Sequence, residues 1–171
     1  RVAAALAEEG LAWTGRCEVE HLLPVLARKV DSARLRAAIT SPRAGLRVAA
    51  SYGCHALRPA GVTHFDNPLA PTIFESLVAV TGATPIEWAR RLECCGDPLH
   101  EANGPLSDRL TRAKLEDAQR CGADVVCTAC PHCHERYSAT MAAGQGPNLP
   151  LMLYPQLLGL AMGIQAGKLG M

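Results

Sequence analysis

Five thiols are spaced to meet at one site: Cys54, the adjacent pair Cys94 and Cys95, and the two ends of the turn Cys130-Pro131-His132-Cys133. A Cys-x-x-Cys turn alone serves zinc sites, redox dithiols and iron–sulfur sites alike. The vicinal pair narrows the choice. A short peptide link splays neighbouring side chains, so Cys94 and Cys95 poorly share one tetrahedral ion, yet they reach two metal atoms of one cluster. Five thiolates also exceed the four that a closed tetrahedral zinc site needs. The pattern points to a polynuclear iron–sulfur site, for which thiolates are the soft donors.

The remaining candidates have plainer readings beside the functional ones. Cys127, Cys130 and Cys133 spell Cys-x-x-Cys-x-x-Cys, the start of a ferredoxin-type motif, which would make Cys127 a ligand. No fourth Cys-Pro follows, and Cys127 falls in an expected strand. Cys121 lies on an expected apolar helix stripe and reads as core, and Cys17 as an ordinary thiol near a helix start. His132 and His134 flank the turn and suit solvated or ligand-supporting positions. His55 and Arg58 are open between lining a substrate pocket, balancing cluster charge and a structural part. A disulfide between Cys94 and Cys95 would be strained.

The elements that position these residues alternate. Residues 46–50 read as a buried strand running out through Tyr52-Gly53-Cys54, residues 71–80 as a helix, and 84–88 as a weaker strand ahead of Cys94-Cys95-Gly96. Residues 107–121 read as a helix capped by Ser107, with Leu110, Ala113, Ala118 and Cys121 as its apolar stripe and Gly122 as its stop. Residues 124–127 read as a strand, 131–143 as a helix opened by Pro131, 151–154 as a last strand, and Pro155 opens a last helix. This alternation predicts an α/β fold: an open parallel sheet of about four strands with flanking helices and right-handed crossovers. The cysteine groups then fall at the carboxyl ends of strands, where open α/β sheets place their sites. The free N–H groups at the start of the Pro131 helix would stabilise the negative charge that several thiolates leave on a cluster.

Upstream, residues 2–9, 18–26 and 31–39 read as short helices, and 41–45 as a linker. Residues 1–44 are therefore expected to be the tail of a preceding domain or a linker, and 45–171 the metal-binding domain. The chain opens with Arg1 inside a helical pattern, which fits a fragment. A net charge of +1 with 19% charged residues gives no sign of a nucleic-acid partner. The longest apolar stretch, 149–164, is broken by Pro150, Pro155 and Gly159 and falls short of the ~20 residues of a membrane span. Clustered thiols without a secretory signal point to a reducing cytoplasm rather than to disulfides.

The order Cys54, Cys94-Cys95-Gly96, Cys130-x-x-Cys133 resembles the cysteine-rich CCG domain family, whose best-known carrier is the B-type subunit of heterodisulfide reductase. The second domain of that subunit is further matched by Tyr52-Gly53-Cys54-His55-x-x-Arg58-Pro59, Phe65-Asp66-Asn67-Pro68, Gly122-Ala123-Asp124, Cys130-Pro131-x-Cys133-His134 and Leu157-Leu158-Gly159-Leu160-Ala161-x-Gly163. Gly15 and Val19-Glu20-His21-Leu22-Leu23 resemble its inter-domain segment. The resemblance implies a non-cubane [4Fe-4S] cluster, one in this chain, held by Cys54, Cys94, Cys95, Cys130 and Cys133. It implies an oxidoreductase subunit that reduces a disulfide or oxidises thiols in one-electron steps.

The partners so implied are a second, N-terminal CCG domain, a flavin-containing A-type subunit and a ferredoxin-like C-type subunit, with a disulfide or thiol as substrate. Only one copy of the motif is present here, so a two-cluster site is incomplete within these residues. One alternative is an electron-transfer or anchoring subunit of a succinate, glycolate, lactate or glycerol-phosphate dehydrogenase. Another is a zinc-bound structural or docking module.

Overall fold

The computed structural model describes residues 2–13, 15–16 and 19–171; Cys17 and Glu18, and with them the expected start of the second helix, lie outside the described residues. Four parallel strands, β1 (Arg47–Ser51), β2 (Thr84–Pro85), β3 (Val125–Thr128) and β4 (Leu151–Leu153), form one open sheet in the order β2-β1-β3-β4. The expected α/β architecture is thus the observed one. Strand residues 48–51 and 125–128 are buried without interruption, as a sheet covered on both faces requires. Side chains alternate between those faces. Val48, Ala50, Val125, Cys127 and Met152 enter one core, whereas Ala49 and Val126 enter the other.

The nine helices of the described residues are α1 (Val2–Glu8), α2 (Leu22–Arg28), α3 (Ser32–Ala37), α4 (Cys54–Leu57), α5 (Ala60–Thr63), α6 (Ile73–Val80), α7 (Gly104–Arg120), α8 (Pro131–Ala142) and α9 (Tyr154–Ala161). Helices α6 and α9 fill the first core with Phe74, Leu77, Val78, Leu157 and Leu158, and Leu23 of α2 and Leu35 of α3 join them. Helices α7 and α8 cover the other face with Leu115, Ala118 and Tyr137. The connection β1–α6–β2 therefore runs over one face, and β2–α7–β3 returns over the other, past β1. Chain direction across the sheet reverses between β1 and β3, the point at which open α/β sheets hold ligands.

Several expected boundaries move, each for a local reason. Helix α6 starts at Ile73 rather than Pro71, because the Asp66 carboxylate accepts the N–H groups of Thr72 and Ile73 at 2.7 and 2.8 Å. Helix α2 is capped by His21, whose Nδ1 accepts from the Leu23 N–H, and Pro24 sits in the first turn. The expected strand at 84–88 pairs only at Thr84 and Pro85; proline lacks an N–H and confines the strand to the sheet edge. Two single-turn helices, α4 and α5, fill a stretch for which periodicity gave no element.

Helix α7 is the largest correction. It begins at Gly104 under an Asn103 cap, whose Oδ1 accepts from the Leu106 N–H, and Ser107 is inside the helix. Its buried face is Ser107, Thr111, Lys114, Leu115 and Ala118, spaced as one helical face. Of the expected stripe, Ala118 is buried and Cys121 is exposed. Among the described residues no helix is long and apolar enough to cross a membrane.

Candidate functional site

Two of the three cysteine groups leave the sheet on either side of the reversal point. Cys54 opens α4 directly after β1, and Cys130 caps α8 directly after β3. Gly53 makes their approach possible: a Cβ built there would come within 2.9 Å of the Cys130 Cβ. The Cys130 N–H donates to Thr128 Oγ1 at 3.2 Å, which fixes the cap. Pro131 occupies the first turn of α8, where a missing N–H costs nothing, and Cys133 follows, buried, one turn on.

Cys94 and Cys95 arrive differently. Strand β2 ends at Pro85, so the pair does not follow a strand end directly, and an irregular segment carries it back to the site. Side chains of α7 fasten that segment by its backbone. Ser107 Oγ donates to the Gly96 carbonyl at 2.9 Å, Thr111 Oγ1 to the Cys95 carbonyl at 2.6 Å, and Lys114 Nζ to the carbonyls of Glu93 and Arg91 at 2.5 and 3.3 Å. Gly96 turns with φ +95°, and a Cβ there would meet the Ser107 carbonyl oxygen at 2.6 Å. Conformation and space both demand glycine after the pair.

The result is an open cavity of about 270 Å³ lined by Cys54, Cys95, Cys130, Cys133, His55, Asp97, Pro98 and His132. Cys94 joins the set through Cys54, with their sulfurs 3.9 Å apart, and its Sγ accepts from the Gly96 N–H at 3.4 Å. All five thiols are free. The Cys133 thiol, with the N–H groups of Cys133 and His132 at the start of α8, lowers Cys130 to about 5. Hydrogen bonding to Cys133 brings Cys95 down to about 7, helped by the Asp97 N–H and the Lys114 ammonium. Their shared proton pushes Cys133 far up, and burial beside Cys94 raises Cys54 to about 11. The start of α8 and the Cys133 thiol thus favour anionic sulfur at Cys130 in a half-buried pocket.

The other candidates separate clearly. Cys127 is fully buried in β3 on the opposite face of the sheet, among Val48, Ala50 and Tyr154, and burial pushes its thiol up. Cys121, expected in the core, is exposed at the end of α7. His55 stands exposed at the rim, shared with a second cavity of about 280 Å³ that also touches His21, Gly53 and Cys130. His132 faces Asp97, with Nδ1 3.6 Å from Oδ2. Arg58 donates to the Leu92 carbonyl at 3.4 Å, tying α4 to the Cys94 segment. Sequence reasoning missed Ser107, Thr111 and Lys114, although their spacing marks one helix face; a lysine on a buried face runs against the apolar periodicity that locates helices.

Among the described residues, no three His, Cys, Asp or Glu side chains close on a point as a single bound ion would require. Cys54, Cys95, Cys130 and Cys133 line one open space. The soft sulfur donors, all free, and the open pocket beside them fit a metal–sulfur group.

Residues 48–136 match the family model described as the cysteine-rich domain, CCG. The chain belongs to the CCG family. Among curated relatives of this CCG chain, the B-type subunit of the ferredoxin/F420H2-dependent CoB-CoM heterodisulfide reductase of Methanosarcina acetivorans is 32% identical over 96% of this chain and 57% of its own length. The B-type subunit of the ferredoxin:CoB-CoM heterodisulfide reductase of Methanosarcina mazei is 31% identical over the same shares. The 8-methylmenaquinol:fumarate reductase membrane anchor subunit of Wolinella succinogenes is 33% identical over 97% of this chain and 60% of its own. The chain spans less than two thirds of each of these relatives.

Proposed function

We propose that this CCG chain is an iron–sulfur electron-transfer subunit of heterodisulfide-reductase type. In this reading, Cys54, Cys94, Cys95, Cys130 and Cys133 hold one non-cubane [4Fe-4S] cluster, at which a disulfide is reduced or thiols are oxidised. The observation that supports this reading is the convergence of free thiols from three separate segments: four line one open cavity, and Cys94 lies against Cys54 beside it. The bound group would supply one-electron chemistry at sulfur. The chain's own residues favour the ionised form of Cys130 at the start of α8 and keep one side open to a thiol or disulfide, with exposed His55 at the rim. The relatives' additional length is consistent with a second cysteine-rich domain, on the same chain or a partner. Flavin-containing and ferredoxin-like subunits would deliver or collect electrons in the cytoplasm.

The match to a fumarate reductase anchor subunit favours a second reading, in which the same group passes electrons and no disulfide is cleaved.

Anaerobic metal analysis tests the shared premise. About four irons and four acid-labile sulfides per chain are expected, lost on replacing any of the five cysteines by Ser and retained in Cys127→Ser and Cys121→Ser. A colourless protein with one tight zinc would overturn it. Disulfide turnover with reduced viologen, once a second cysteine-rich domain is supplied, separates the two readings.

A further inference from the structure

Lys114 lies in the middle of α7 with 1% of its surface exposed. Among the described residues, no carboxylate lies within ion-pairing distance of it. Its ammonium donates to the carbonyls of Glu93 and Arg91 and stands 5.5 Å from the Trp88 ring centroid. A buried ammonium held only by carbonyls and a ring face is costly, and proteins normally neutralise such a group or pair it with an anion. The ammonium is anchored at the Glu93 carbonyl, one residue before Cys94, and Thr111 on the same helix face holds the Cys95 carbonyl, so the charge sits beside the cysteine pair. Burial pulls the Lys114 pKa down, and Cys133, Cys95, Cys54 and Cys94 pull it back up. The neighbouring cation on α8, Arg136, is already paired with Asp108, which leaves Lys114, among the described residues, as the buried cation available to the site.

Resting on the iron–sulfur reading above, we propose that Lys114 is the charge-compensating residue of the five-thiol site. Its buried ammonium offsets the negative charge that thiolates leave on the metal–sulfur group, and so raises the potential at which that group accepts an electron. No bond forms in that step; one electron passes in from a low-potential donor. Net charge and hydrogen bonding around a cluster are established determinants of its potential, and a cation in a low-dielectric pocket acts more strongly than one in water. Lys114 acts by position: it also pins the segment that delivers Cys94 and Cys95. A test must therefore separate charge from scaffolding.

The experiment compares Lys114→Met, Lys114→Gln and Lys114→Arg in the full, anaerobically reconstituted chain, titrated with dithionite and viologen mediators under spectroscopic detection. Met and Gln should lower the reduced-to-oxidised ratio at a fixed potential about tenfold, which is about 59 mV for a one-electron couple. Arg should restore it. Met and Gln variants that fold but fail to retain iron would make Lys114 a scaffold for the cysteine pair and overturn the charge role. Unchanged potentials in Met and Gln, an equal shift in Arg, or loss of fold in both Met and Gln would overturn it. If the wild-type chain takes up no iron and sulfide, the iron–sulfur reading fails separately. Iodoacetamide then reads the inference in the apoprotein: slower alkylation of Cys95 at pH 7 in Lys114→Met, restored in Lys114→Arg, supports it, and equal rates overturn it.

Discussion

The two faces of the sheet are built from different chemistry. One face is packed with Phe74, Leu77, Val78, Tyr52, Tyr154 and Leu157 around the apolar sides of β1 and β3, and its aromatic rings meet edge to face. The other buries Ser107, Thr111, Lys114, Arg136, Tyr137 and Thr140, and the thiol cavity opens at its rim. The first face pins the sheet; the second uses buried hydrogen bonds to place a loop and two helix starts. Cys127 and Cys130 condense the contrast into three residues. One points from β3 into the apolar core, and the other caps a helix at the cavity.

The sharpest way to break this comparison is chemical labelling of the apoprotein. Cys130, lowered to about 5, should react with iodoacetamide at pH 7 roughly a thousandfold or more faster than Cys127, which burial pushes far up. The thiolate is the reactive form, so the Cys130 rate should stay flat as pH falls from 8 to 6 and drop only near pH 5. Equal rates, followed by peptide mass spectrometry, would mean that the two cysteines do not occupy different environments. Next in size is Phe74→Ala. It empties a fully buried site on the apolar face and should cost about 3–5 kcal/mol in urea unfolding, while iron content per folded chain stays unchanged. Loss of iron at conditions where the variant is fully folded would couple the faces. Smallest is Gly96→Ala, which forces a side chain into a left-handed turn against the Ser107 carbonyl and should cost about 1–3 kcal/mol. Here iron content should fall as well, and a variant with full iron and wild-type stability would show that the turn does not constrain the pair.

Much of the apolar face and of the order of elements was legible in sequence, because hydrophobic periodicity reports burial against carbon. The strands at 47–51, 125–128 and 151–153 and the helix opened by Pro131 lie within a few residues of expectation. The polar face was less legible. Ser107 reads as a cap when considered locally, and only the docked loop shows why it is buried within a helix. Lys114 carries no apolar signal at all. The convergence of Cys94 and Cys95 on the other thiols was expected from a strand end at 88. The sheet stops at Pro85, and the pair is positioned by α7 instead. Long-range polar contacts of this kind leave no local pattern.

The grip of α7 on that segment falls on carbonyl oxygens at 91, 93, 95 and 96. A carbonyl is common to every amino acid. The clasp therefore recognises the course of the main chain and is indifferent to the identities threaded through it. Exposed positions such as Ala89 and Glu93 can drift, or be recruited to shape an outer surface, without dislodging the two sulfurs behind them. Tolerance to substitution should accordingly be uneven along this short stretch: wide at its outward residues, and absent at Gly96 where a side chain would collide with the clasp itself.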